Sequence, residues 1–131
     1  MSSLLDTNVI VRYLVRNVPD MARRAAEIIE GPEQLLVTDV VLAETAYVLQ
    51  SVYSIRRDLI VDALVAFVSR RNIGVLGLEK DLVLQALLLC RPSGRVSFAD
   101  ALVWAAARSS RIAAIYSFDE RFPGDGLEIR R

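Results

Sequence analysis

The sequence contains no histidine. That absence excludes histidine acid–base pairs, Ser-His-Asp triads and histidine-ligated zinc. Cysteine is nearly missing too. Cys90, in an apolar helix-like run, is the only one, which excludes an internal disulfide and a cysteine-rich zinc centre and suits a reducing cytoplasm. No uncharged run is long: the longest, residues 45–55, falls well short of the ~18 apolar residues of a spanning helix, so a soluble chain away from the membrane is expected. Net charge is also lacking. Sixteen basic residues balance sixteen acidic ones, so the molecule as a whole does not advertise nucleic acid as a strongly basic domain would. The N-terminus turns hydrophobic at once, with neither a basic region nor a small-residue cleavage site, and reads as free of an export signal.

What is present narrows the chemistry further. The 131 residues suit a single domain, residues 1–131, able to bury a core without staples. Hydrophobic residues make up 53% and the mean hydropathy is +0.36, apolar enough to imply surface that meets a partner. Fifteen of the sixteen basic residues are arginine, whose planar fork suits phosphate and carboxylate alike; Lys80 is the one lysine. Carboxylates are the groups left for catalysis.

Apolar runs at residues 3–5, 35–38, 73–76 and 112–116 read as strands, with a further edge strand at 127–129. Between them lie helical patterns: one after Asp6-Thr7-Asn8, one opened by Pro19-Asp20 and closed by Gly31-Pro32, and one at 40–53 that is apolar nearly all round. Others cover 57–70, 79–90 and 97–109, the last two separated by the breakers Arg91-Pro92-Ser93-Gly94. Such alternation predicts an α/β fold, a central and mostly parallel sheet with helices on both faces, because parallel neighbours need crossover connections. Ligands of such folds bind beyond the carboxyl ends of the strands.

Four acids fall at such places. Asp6 ends the first strand and also suits the N-cap of the helix that follows. Glu44 has Val40, Val41, Tyr47 and Val48 as its helical neighbours, so it is expected on an apolar face, where an unpaired carboxylate costs several kcal/mol and needs an ion, a proton or a salt bridge. Asp100 stands third in the helix start Ser97-Phe98-Ala99-Asp100, a capping pattern, and leads into a deeply apolar helix. Asp119 follows the strand at 112–116 and also suits capping of a short turn. Four carboxylates in one crevice would repel by roughly 4 kcal/mol per pair at 4 Å and an effective dielectric near 20. Oxygen-only donors select hard cations, so Mg²⁺ or Mn²⁺ is the expected occupant, and such ions serve phosphodiester hydrolysis.

Leu4-Leu5-Asp6-Thr7-Asn8-Val9-Ile10, Leu42-Ala43-Glu44, Ser97-Phe98-Ala99-Asp100-Ala101-Leu102 and Ser117-Phe118-Asp119-Glu120-Arg121-Phe122, in this order, resemble the PIN-domain toxins of the VapC family over essentially the whole chain. The resemblance implies the three-layer PIN-domain sandwich and a Mg²⁺- or Mn²⁺-dependent endoribonuclease of a type II toxin–antitoxin pair, silenced by a co-expressed antitoxin and usually homodimeric. Carried over by position, Asp6, Glu44, Asp100 and Asp119 would be the catalytic and metal-site acids, braced by Thr7, Asn8 and Ser117. Arg121 departs from the pattern, since relatives often carry another acid there, and this bears on a second metal position. Arg12, Arg95 and Arg121, near the site in sequence, are candidates for holding the RNA backbone. The apolar stretch from Tyr47 to Tyr53 and the helix after it are candidates for the antitoxin or a second subunit.

Four other readings have weaker support. A receiver domain wants a lysine after its last strand, but Lys80 precedes the third acid; a haloacid-dehalogenase-like phosphatase wants Asp-x-Asp where this chain has Asp6-Thr7-Asn8. A PIN fold serving as an RNA-binding or interaction module with little activity, or as a DNA-directed nuclease, stays open, because carboxylate-held metals do not by themselves discriminate the sugar.

Overall fold

A computed structural model describes residues 2–131 of the chain. The first strand, β1 (Ser2–Leu4), leads into α1 (Thr7–Val15) and α2 (Pro19–Ile29), and the chain returns as β2 (Gln34–Val37). A second helical crossover, α3 (Asp39–Ser51) and α4 (Arg57–Val68), leads to β3 (Ile73–Val75). Both crossovers yield parallel pairing, Ser3 opposite Leu35 and Leu36 opposite Gly74, so β1, β2 and β3 form one sheet in that order. Then come α5 (Lys80–Leu89), α6 (Phe98–Ser109), β4 (Ala114–Tyr116) and β5 (Glu128–Arg130). Six helices with parallel strands make the expected mixed α/β architecture, in keeping with a three-layer sandwich.

The expectation of one continuous sheet needs a correction. Strand β4 pairs in parallel with β5, Ile115 opposite Ile129, and these two form a separate sheet. The segment that carries them is tied to α6 instead: Trp104 Nε1 and Arg108 Nη1 both donate to the Asp125 carbonyl, at 2.8 and 2.9 Å. Arg108 also lies over the Trp104 ring, 5.5 Å from its centre. Gly126 makes this possible, for it has φ +79° and a Cβ there would fall 2.3 Å from the Arg108 guanidinium. Strand β5 also starts one residue later than the apolar run at 127–129, because Leu127 turns into the core and Glu128 makes the first pairing.

Local chemistry sets the helix ends. Pro19 sits in the first turn of α2, where its missing N–H costs nothing, and Gly31 just beyond the end approaches Glu27 O so closely that a Cβ would lie at 2.7 Å. Thr38 Oγ1 accepts from Val41 N to start α3, and Ser97 Oγ accepts from Asp100 N to start α6. The single lysine is structural: Lys80 Nζ donates at 2.7 Å to the carbonyls of Arg70 and Ile73, closing the α4–β3 connection. One continuous core, from Leu5 to Leu127, includes Ile10, Leu42, Leu64, Leu87 and Trp104. Cys90 belongs to it, and burial pushes its thiol up to about 11, which leaves too little thiolate for a nucleophile. No helix among the described residues is long and apolar enough to cross a membrane.

Arg57, which sequence reasoning left unremarked, ties α4 to the α5–α6 loop. Its Nη1 donates to the carbonyls of Cys90 and Val96 at 3.1 and 3.0 Å, while its guanidinium lies 4.8 Å from the centre of the Phe98 ring. Replacing Arg57 with Met keeps the stem and removes the donors, leaving two carbonyls short of a partner. Thermal unfolding should show a loss of about 1.5–3 kcal/mol, several degrees in Tm; an unchanged Tm would deny the loop its anchor.

Candidate functional site

Asp6 sits two residues past the end of β1, just after Leu5, whose N–H extends the pairing to Leu36 O. It is the N-cap of α1, and its Oδ1 accepts from Thr7 N at 2.8 Å. Capping occupies one oxygen and aims the carboxylate outward from the strand end. Helix α1 packs on α3, and between them opens a cleft of about 260 Å³ lined by Asp6, Thr7, Asn8, Val11, Arg12, Glu44, Val48 and Tyr53. Asp6 and Glu44, 38 positions apart in the chain, therefore share one cavity wall to wall.

Glu44 reaches that cleft for a different reason from the one its neighbours suggested. It is exposed, not buried. The face of α3 that enters the core carries Leu42, Thr45, Ala46 and Leu49, whereas Val40, Glu44 and Tyr47 form a stripe at helical spacing on the outside, with Val40 69% and Tyr47 67% exposed. Of the apolar neighbours of Glu44, Val40 and Tyr47 are thus surface residues while Val41 and Val48 are half-buried, and its exposed carboxylate bears little of the desolvation cost expected of it.

Thr7 is the most enclosed polar group of the cleft. It is 6% exposed, and its Oγ1 has no hydrogen-bond partner within the described residues. A buried hydroxyl without a partner costs about 1–3 kcal/mol, so this oxygen awaits a water or a ligand. Asn8 lines the cleft beside it and is exposed.

The other two acids stand apart from this pair. Asp100 occupies the first turn of α6, half-buried; its cap runs one way, from its own N–H to Ser97 Oγ, and no return bond from its carboxylate is formed among the described residues. Asp119 follows β4 and belongs to the separate β4–β5 unit. Its Oδ1 accepts from Arg121 N at 2.8 Å and from Arg121 Nε at 3.2 Å, and Ser117 Oγ accepts from Asp119 N at 3.1 Å. Ser117 therefore braces the backbone of this turn and not the carboxylate. Among the described residues no three Asp, Glu or Cys side chains come close enough together to hold a metal ion as a group. The tight four-acid cluster expected from the sequence is not assembled in this conformation. Strand β4 has β5 for its hydrogen-bonded neighbour, so the pairing of β1, β2 and β3 does not itself fix its end beside the end of β1.

The arginine candidates separate as clearly. Arg12 lines the cleft, Arg95 lies exposed in the α5–α6 loop, and Arg121 is engaged by Asp119. Sequence reasoning missed Val11, Val48 and Tyr53 as lining residues. Helical spacing could have found the first two, one turn beyond Thr7 and Glu44, but Tyr53 lies past the end of α3 and is brought in by tertiary packing alone.

A hard cation fits the donors present. The Asp6 and Glu44 carboxylates, the Thr7 hydroxyl and the Asn8 amide are all oxygen donors, and Mg²⁺ is commonly held by one or two carboxylates with waters completing its shell. Two carboxylates facing one cleft beyond a strand end are donors of the kind that metal-assisted hydrolysis of charged substrates uses. Residues 3–124 match the model of the PIN domain family, and the chain belongs to that family. PIN domains are commonly metal-dependent nucleases. A search of curated proteins found no match.

Asp119 offers a direct test of the site's second half. The Arg121 backbone N–H, and then its guanidinium, hold the Asp119 carboxyl below the usual carboxylate range. A depressed folded-state pKa means that the contact contributes at pH values above the ordinary one and is lost as pH falls through the folded-state value. Carboxyl NMR titration should place Asp119 low in the wild type and higher in Arg121→Ala, where the guanidinium is gone; identical midpoints would show that the ion pair does not form in solution.

Proposed function

We propose that this chain is a Mg²⁺- or Mn²⁺-dependent endoribonuclease, the toxin of a type II toxin–antitoxin pair, which hydrolyses RNA phosphodiesters at the α1–α3 cleft. One observation carries the reading: Asp6 and Glu44 face one cleft beyond the end of β1, beside a buried Thr7 hydroxyl that lacks a partner. Membership of a family of metal-dependent nucleases supports it.

Asp6 and Glu44 would hold the ion from opposite walls, with Thr7 and Asn8 orienting waters around it. A divalent ion bound there supplies charge neutralisation at the phosphodiester and a more acidic water. Asp6 keeps its orientation through the Thr7 backbone N–H, so its geometry depends on the helix start and not on a flexible side-chain partner. Asp100 and Asp119 are proposed as further acids of the same site, and for Asp119 that role competes with Arg121. Arg12, already in the cleft, is placed to meet the backbone phosphate, whereas Arg95 and Arg121 would act only from the loops that carry them.

An antitoxin and a second copy of the chain are the proposed partners. Their support is apolar surface: Val40, Tyr47, Val52 and Leu59 are exposed on and after α3, and a shallow groove between α3 and α6 is floored by Val40, Ala43, Leu102 and Val103. The proposed setting is the cytoplasm.

One specific observation favours a second reading. Because no three acids gather among the described residues, a PIN fold that binds RNA or protein with little activity accounts for the geometry with fewer assumptions. Purified wild type, Asp6→Asn and Glu44→Gln should therefore be compared for Mg²⁺-dependent cleavage of total RNA and for growth arrest on expression. The nuclease reading expects each substitution to lower cleavage by more than the roughly 10–100-fold that loss of an outer-shell partner costs. Equal behaviour of all three proteins would discard it, metal binding without cleavage would favour the binding module, and cleavage of DNA in place of RNA would reassign the substrate.

A further inference from the structure

The cleft has a second half that metal chemistry does not use. On α1, Thr7 and Val11 are one helical turn apart, and on α3 Glu44 and Val48 are as well, so each wall carries an oxygen donor and, about 6 Å along the helix, an aliphatic side chain. Tyr53, half-buried beyond the last turn of α3, lines the cleft with them. Arg12 is in the same cavity. Although it shares the space with two carboxylates, it forms no ion pair among the described residues, and its side chain donates only to the neutral Asn17 Oδ1, at 3.3 Å.

We propose that Val11, Val48, Tyr53 and Arg12 form a nucleobase subsite, in which an unpaired base of a single-stranded polynucleotide stacks on Tyr53 while Arg12 holds the adjoining phosphate. This rests on the nuclease reading for the position of the reacting phosphate, but not for the binding itself. The combination is what selects the ligand. Aliphatic side chains beside one aromatic ring take the face of a base, and an arginine without an ion-pair partner among the described residues takes an anion. A base can enter only when it is unstacked and unpaired, so the subsite admits single strands, loops and ends and excludes regular duplex. Aromatic stacking tolerates any base, so the contribution of Tyr53 is to strandedness more than to sequence.

The test measures binding apart from cleavage. A 5′-fluorescein hexaribonucleotide is titrated with the full chain in EDTA, where no metal-dependent cleavage occurs, and followed by anisotropy. Tyr53→Ala should weaken binding about tenfold, and Tyr53→Phe, which keeps the ring, should stay within about twofold of wild type. Arg12→Ala should flatten the slope of log affinity against log salt by about 0.7, the release of one counterion from a single strand. Wild-type protein with the same oligomer made abasic gives the ring's contribution with no change to the protein; it should bind about tenfold more weakly, and a duplex of the same sequence should compete poorly.

Equal affinity for the abasic and intact oligomers overturns the subsite, as does equal competition by duplex. Absence of any oligonucleotide binding also overturns it, and leaves the slot to a protein side chain. If the base effect appears but metal-dependent cleavage never does, the subsite stands and the nuclease reading falls. If cleavage proceeds and Tyr53→Ala leaves binding unchanged, the reverse holds.

Discussion

The packing of α1 against α3 is the contact on which the site depends. It sets two carboxylates from distant parts of the chain, Asp6 and Glu44, on facing walls of one cleft. Their mutual repulsion is tolerable in the free protein because both are exposed and water screens them. Solvent access has a second effect: it leaves room for a hydrated divalent ion, which would relieve the repulsion. The buried Thr7 hydroxyl sits between these demands, with an oxygen that no group among the described residues satisfies.

Capping explains why Asp6 stands where it does. Asp6 at the start of α1 and Asp100 in the first turn of α6 belong to helix starts that the backbone would need in any protein of this shape. The two explanations first posed as alternatives, cap and functional acid, are therefore compatible for Asp6. One oxygen holds the helix start and so fixes the direction of the other. Asp119 differs in the charge it meets: the same oxygen, Oδ1, accepts from both the Arg121 backbone N–H and its guanidinium.

Much of this was legible in the sequence. The strand and helix positions follow from apolar spacing and from breakers such as Gly31-Pro32, and the parallel pairing of β1, β2 and β3 follows from helical crossovers of sufficient length. The single-lysine and single-cysteine observations acquire simple physical meanings, a connection closed by Lys80 and an inert buried thiol at Cys90. Glu44 was misjudged because helical neighbours identify a face but not which way the face points; an apolar stripe on α3 looks the same whether the core or a partner covers it. The separate β4–β5 pair was equally invisible, since three-residue strands carry no signal about which edge they join. Tyr53 was read as partner-facing surface and not as part of the cleft, because only tertiary packing returns the chain after α3 to it.

The arrangement also divides labour along the cleft, with oxygen donors near the strand end and carbon one turn further on. Such a division lets binding of a flexible strand place its phosphate without asking the acids to recognise it. The central claim, that Asp6 and Glu44 share one ion, is tested most directly by Mn²⁺ binding calorimetry on wild type, Asp6→Asn, Glu44→Gln and the double variant. Shared ligation predicts a loss of tenfold or more in each single variant and little further loss in the double, because the two side chains act on the same ion. Unchanged affinity in either single variant, or losses that simply add, would contradict it.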